Sequence, residues 1–131
     1  MITALPRWVW PAAGLMAFLA GMINVTGVLG FTHEAVTHLT GVTTYLGAAA
    51  ARGDWRGMGH LAGMLVAFVA GAASCGLVIG HGGLTLGPRY GVALGLEMGL
   101  LMVAVPLLNH GWAAGVFLTC AATGLQNAME A

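Results

Sequence analysis

The residues able to do chemistry are concentrated at positions 21–41, GMINVTGVLGFTHEAVTHLTG, where Asn24, Thr26, Thr32, His33, Glu34, Thr37, His38 and Thr40 stand among apolar neighbours. Such types could hold a zinc ion, ligate a haem or pigment, or replace the water around a small polar solute. Spacing removes the first. In His33-Glu34-x-x-x-His38 the histidines lie five positions apart, about 140° around a helix, whereas H-E-x-x-H needs them four apart on one face. The i, i+4 pair is Glu34 with His38, and a structural role suffices for it: Glu34 caps a helix beginning there, beside Thr32, and holds the imidazole. One histidine without a partner is poor evidence for haem. No nucleophile–base pair or phosphate loop occurs, so neither enzymatic activity nor a metal or cofactor is expected.

The solute reading rests on more residues. Thr37, Thr40, Thr43 and Thr44 fall mostly on one side of a helix with Gly41 among them, although threonine hydroxyls in helices commonly bond back to their own carbonyls. Asn24 sits in a Gly-rich helix end, where an amide can bridge to the THLTG stretch or touch a ligand. Glu97 stands in the middle of a later apolar run. A charged side chain near a bilayer centre costs about 2.5–3.5 kcal/mol on insertion scales, so such residues usually face a bundle interior or a water path. A protonated Glu97 bonded to a neighbouring helix is the plainer alternative. The path candidates are thus Asn24, Thr37, His38, Thr40, Glu97 and Asn127, with Thr26, His33, Glu34 and Gln126 as supporting polar groups. His60, His81 and His110 fall at helix edges or loops and are expected to face water.

The elements that position these residues follow from composition. The chain has 131 residues, 59% hydrophobic and 6% charged, with a mean hydropathy of +0.90; typical globular proteins carry about 25% charged residues. Four arginines, four acids and no lysine cannot solvate a globular surface, and a net charge of zero gives no electrostatic basis for nucleic-acid binding. The expectation is an all-α, polytopic membrane protein whose partner is the lipid bilayer. Cys75 and Cys120 lie in apolar runs and are expected to pack as small hydrophobes. Arg7 alone is too weak a basic flank for a signal peptide.

About five membrane segments can be drawn. The first follows Arg7, Trp8 and Trp10, with Pro11 in its first turn, and ends near Gly30, where Gly21, Gly27 and Gly30 invite a kink. The second, 34–51, is short, tilted or re-entrant, because its polar start is tolerated only beside protein or a cavity. Arg52-Gly-Asp54-Trp55-Arg56 is a charged turn. The third segment, 58–79, repeats Gly59, Gly63, Ala67, Gly71 and Cys75 every four residues, a ridge suited to close helix contact. A loop containing His81 and Gly87-Pro88-Arg89 precedes the fourth segment, 91–108. There Gly91, Gly95 and Gly99 form a second ridge, expected to pack on a neighbour while Glu97 points about 200° away. After Asn109-His110-Gly111 and Trp112, the fifth segment begins at 113. Arg7, Arg52 and Arg56 would share one side against Arg89 on the other, which favours a cytoplasmic N-terminus.

Gly21-Met-Ile-Asn24-Val is echoed by Gly124-Leu-Gln126-Asn127-Ala. As a repeat this makes 1–110 a first unit and 111–131 the truncated start of a second within one transmembrane domain, and transporters are often built from two such units. Asn24-Val-Thr-Gly27, Thr37-His38-Leu-Thr40-Gly41 and Gly124-Leu-Gln126-Asn127-Ala resemble the signature blocks of the YoaK family of bacterial membrane proteins. The resemblance covers the whole chain in order. It implies a multi-helix inner-membrane protein of unassigned function for which transport is supposed. Members often carry an acid where Asn24 stands and an Asn where Val42 stands, and they continue into a second half. Two functions follow as expectations. One is a carrier or channel half for a small polar solute or ion, completed by a homo-oligomer; the other is a non-transporting membrane subunit or assembly factor whose polar cluster and glycine ridges only hold partner helices.

Overall fold

The computed structural model describes residues 7, 9–26, 29, 39–79 and 88–130. Five helices account for them: α1 (Val9–Thr26), α2 (Leu39–Arg52), α3 (Trp55–Ile79), α4 (Pro88–Asn109) and α5 (Ala113–Glu130). The expected all-α class holds, and α3 and α4 are long and apolar enough to cross a membrane. Two boundaries differ from expectation. α3 starts three residues earlier, because the Asp54 carboxylate accepts the Gly57 N–H at 3.0 Å and so caps the helix at Trp55. α4 starts at Pro88, whose fixed φ and missing N–H suit a first helical position. α2 is described from Leu39, and the expected start at 34 lies outside the described residues.

Two turns of one build set the bundle's topology. Gly53 and Gly111 adopt φ of 69° and 72°, the left-handed conformation that ends helices. The Gly53 N–H donates to the Ala50 carbonyl at 3.1 Å and the Asp54 N–H to Ala49 at 3.0 Å; the Gly111 N–H donates to Leu108 at 2.8 Å and the Trp112 N–H to Leu107 at 2.9 Å. Each is a Schellman cap, which satisfies the last carbonyls and reverses the chain within a few residues. Thus α2 doubles back into α3, and α4 into α5.

α3 packs extensively on α5 and α2, and α5 also packs on α4. One core joins Val42 and Ala49 of α2 to Leu61, Met64 and Phe68 of α3 and to Val116 and Cys120 of α5. A second gathers Cys75, Ala93, Leu125 and Met129. Cys75 and Cys120 are buried thiols outside any disulfide, as expected of small hydrophobes. α1 makes no extensive contact with the other four helices among the described residues. Its Trp10, Leu15, Phe18, Leu19, Met22 and Val25 are all exposed.

The α3 ridge works where it meets α5. A Cβ at Gly71 would strike the Ala121 carbonyl, and one at Gly124 would strike the Phe68 carbonyl. The two helices therefore cross with backbone against backbone, the approach that small residues permit. A Cβ at Gly63 would lie 3.0 Å from the Phe117 ring, while Gly59 meets nothing within 4 Å. Ala67 is half-buried and Cys75 fully buried. Four of the five ridge positions thus face protein; Gly59, nearest the turn, does not.

Candidate functional site

The α4 ridge is corrected by the structure. Gly91, Gly95 and Gly99 are exposed and meet nothing within 4 Å, so among the described residues they pack on no neighbour. The face turned to α5 carries Ala93, Glu97, Leu100 and Ala104, of which both alanines are buried and Glu97 and Leu100 half-buried. The cause is the roll imposed by the α4–α5 turn. A Cβ on Gly115 would come within 2.7 Å of the Leu108 side chain and 3.0 Å of the Ala104 carbonyl, so α5 is seated directly on Leu108 and Ala104. Ala93, Glu97, Leu100 and Ala104 are spaced four, three and four apart, one helical stripe. Fixing Ala104 against α5 brings Glu97 with it.

The α5 side of this contact reads Gly115, Thr119, Ala122, Gln126, Met129. Its register is pinned at both ends, by Gly115 on Ala104 and by the Tyr90 hydroxyl, which donates to the Met129 carbonyl. Antiparallel register between those anchors places Glu97 level with Ala122, one turn from both Thr119 and Gln126. Thr119 and Thr123 are buried, yet each is satisfied within its own helix. The Thr119 hydroxyl donates to the Gly115 carbonyl at 2.9 Å, and the Thr123 hydroxyl lies 3.1 Å from the Thr119 carbonyl and 3.0 Å from that of Cys120. Sequence reasoning passed over both, since a threonine in an apolar run carries no distinct signal. Gln126 is half-buried and Asn127 exposed.

α2 holds the described part of the THLTG stretch. Thr40 is its second residue and is exposed, and its carbonyl accepts the hydroxyls of Thr43 at 3.0 Å and Thr44 at 2.8 Å. Back-bonding therefore accounts for two of the four threonines. Depth gives the arrangement its meaning. The described part of α2 has 14 residues, about 21 Å at 1.5 Å per residue, within a hydrocarbon core of about 30 Å. Thr40 stands twelve positions before Arg52, and Glu97 twelve before Asn109, about 18 Å of helix in each case. Both helices end at the same end of the bundle, so the two residues occupy one level. Gly124, at the α3–α5 crossing, lies eleven positions from Ala113, about 17 Å.

The other expected site residues lie on α1 or outside the described residues. Asn24 is half-buried in the last turns of α1, and Thr26 ends that helix. His33, Glu34, Thr37 and His38, and with them the Glu34–His38 pair, lie outside the described residues, as do Gly27, Gly30 and His81. Among the described residues no group of three His, Cys, Asp or Glu stands together. His60 departs from expectation: it is half-buried with its ring 5.4 Å from that of Phe117, because α3 and α5 approach closely there. His110 is exposed, near Trp112.

Residues 12–131 match a family model described as a protein of unknown function, DUF1275. No curated protein and no solved structure matches the chain.

Proposed function

The chain belongs to the DUF1275 family, and on that premise we propose that it is a multi-pass membrane protein that passes a small polar solute or ion. It carries no enzymatic activity in this reading, and within the family it belongs with the YoaK-like proteins of the bacterial inner membrane. The observation that carries the proposal is the common level of Thr40 and Glu97. The 14 described residues of α2 run about 21 Å from the Arg52 end and put Thr40 at the level of Glu97 within a core of about 30 Å. Polar and ionisable side chains at that depth usually face a bundle interior or a water path. Transporters gather such groups at one depth to build midplane sites. Thr37 and His38, immediately before α2 in sequence, Asn24 and the α5 pair Gln126–Asn127 complete the path.

Two elements of this reading come from sequence pattern alone. The N-terminus is cytoplasmic, and 1–110 and 111–131 belong to successive repeats. Gly21 and Asn24 fall near the end of one 18-residue helix and Gly124 and Asn127 near the end of another, which supports that relation. A homo-oligomer, or another membrane subunit, would supply what α1 packs against.

Solvent access tests the proposal. With Cys75 and Cys120 replaced by Ala, single cysteines at Thr40 and at Glu97 are exposed in intact membranes to a membrane-impermeant thiol reagent from each side. A water path predicts labelling of both; labelling of neither, while a cysteine at Arg52 reacts, refutes it. The second reading, a non-transporting subunit, is favoured by the backbone-tight α3–α5 crossing and predicts that protected outcome.

A further inference from the structure

The end of the bundle where α2 turns into α3 also carries the turn from α4 into α5. α3 and α5 run side by side from that end, as the His60–Phe117 ring contact at 5.4 Å and the seat of Gly63 on Phe117 require. Four side chains project there: Arg52 at the close of α2, Trp55 and Arg56 in the first turn of α3, and Trp112 before α5, all exposed. The two indoles are 79% and 62% exposed, too open to be core residues.

Neither guanidinium is needed by the fold. The Asp54 carboxylate, the acid between them in sequence, is turned onto the Gly57 N–H of its own helix, where the α3 dipole balances its charge. The Ala50 and Ala49 carbonyls near the end of α2 are already taken by the N–H groups of Gly53 and Asp54, so Arg52 is not needed to cap those two. Among the described residues neither Arg52 nor Arg56 has an ion-pair partner. At the opposite end stands Arg89, beside a tyrosine whose hydroxyl is already bonded to Met129.

Two unpaired guanidiniums flanked by two indoles at one end of an apolar bundle fit one ligand chemistry. Guanidinium forks match the oxygens of a phosphodiester, indoles settle at headgroup depth, and basic side chains at a membrane surface draw anionic lipid. We propose that the Arg52–Arg56 end is a binding site for the headgroup of an anionic phospholipid in the adjacent leaflet, with Trp55 and Trp112 lying against its glycerol and upper acyl region. The inference rests on the membrane reading above and is independent of transport.

The test uses the full chain with Trp8→Phe and Trp10→Phe, so that only Trp55 and Trp112 fluoresce, reconstituted in bilayers mixing plain phosphatidylcholine with brominated phosphatidylglycerol or brominated phosphatidylcholine. The site predicts stronger quenching by the brominated phosphatidylglycerol at equal mole fraction. The preference should fall about fivefold for each arginine removed, vanish in R52Q/R56Q, persist in R52K/R56K, and be unchanged in R89Q. Equal quenching by the two lipids in the otherwise unaltered chain overturns the proposal, as does a preference that survives R52Q/R56Q. Displacement of the lipid by millimolar inorganic phosphate also overturns it, since the site would then be one for a free anion. Failure of the membrane reading looks different: neither brominated lipid would quench either tryptophan.

Discussion

The α3–α5 crossing gives the sharpest prediction about stability. Replacing Gly124 by Ala places a methyl against the carbonyl of Phe68, and replacing Gly71 by Ala places one against the carbonyl of Ala121. Both obstacles are backbone, so no rotamer change relieves them and the helix axes must separate. Overpacking of this kind costs about 1–3 kcal/mol. Removing a helix-interior glycine recovers up to about 1 kcal/mol of propensity, so each variant should lose up to about 2 kcal/mol and fall about 1–3 kcal/mol below an exposed Gly→Ala change that gains the propensity without the clash. The two sites belong to one crossing, and a shift that accommodates one methyl accommodates much of the other. The double variant should therefore lose less than the sum of the singles. Gly99→Ala is the control, because nothing lies within 4 Å of that position. The measurement is reversible unfolding in mixed detergent micelles, followed by helical circular dichroism. If Gly71→Ala and Gly124→Ala unfold at the same denaturant fraction as Gly99→Ala, the crossing is not in backbone contact and the packing argument fails.

Two further predictions follow from single hydrogen bonds. Asp54→Ala removes the acceptor for the Gly57 N–H and should cost about 1 kcal/mol in the same unfolding assay, whereas Asp54→Asn or Asp54→Ser should retain most of it. Tyr90→Phe removes the hydroxyl that ties α4 to the Met129 carbonyl; it should cost about 1 kcal/mol and speed amide exchange in the last turn of α5 without altering the α2–α3 turn.

The five apolar segments were legible because composition and turn residues agree: Gly53 and Gly111 sit where chain reversal needs a left-handed residue, and a tryptophan follows each. The contact face of α3 was legible too, since Gly63, Ala67, Gly71 and Cys75 form the only small-residue stripe on that helix. On α4 the same logic failed. Its sequence offers two stripes of small residues, Gly91-Gly95-Gly99 and Ala93-Ala104, and spacing alone does not choose between them. The choice is made by Gly115, through the seat it gives Leu108 and Ala104, a long-range constraint that local periodicity does not contain. His60 was misread because its position near a charged turn says nothing of the aromatic ring brought to it by α5.

The roll of α4 changes what Glu97 is. Had the glycine ridge faced α5, Glu97 would have projected from the bundle into lipid, where an ionised carboxylate carries the full insertion cost of about 2.5–3.5 kcal/mol. On the Ala93–Ala104 stripe it instead stands against α5, level with Ala122 and within a turn of Gln126 and Thr119. Small residues at 93 and 122 let the helices close around it, both alanines being essentially fully buried. Meanwhile the glycines left outside, which each cost about 1 kcal/mol of helix propensity relative to alanine, gain nothing from packing among the described residues. A helix that keeps its acid inside and its smoothest face outside is organised for two contacts, one with α5 and one with whatever passes along its outer surface. That division places Glu97 at the seam between α4 and α5, at the level of Thr40 on α2, and makes this seam the place to look for a polar path.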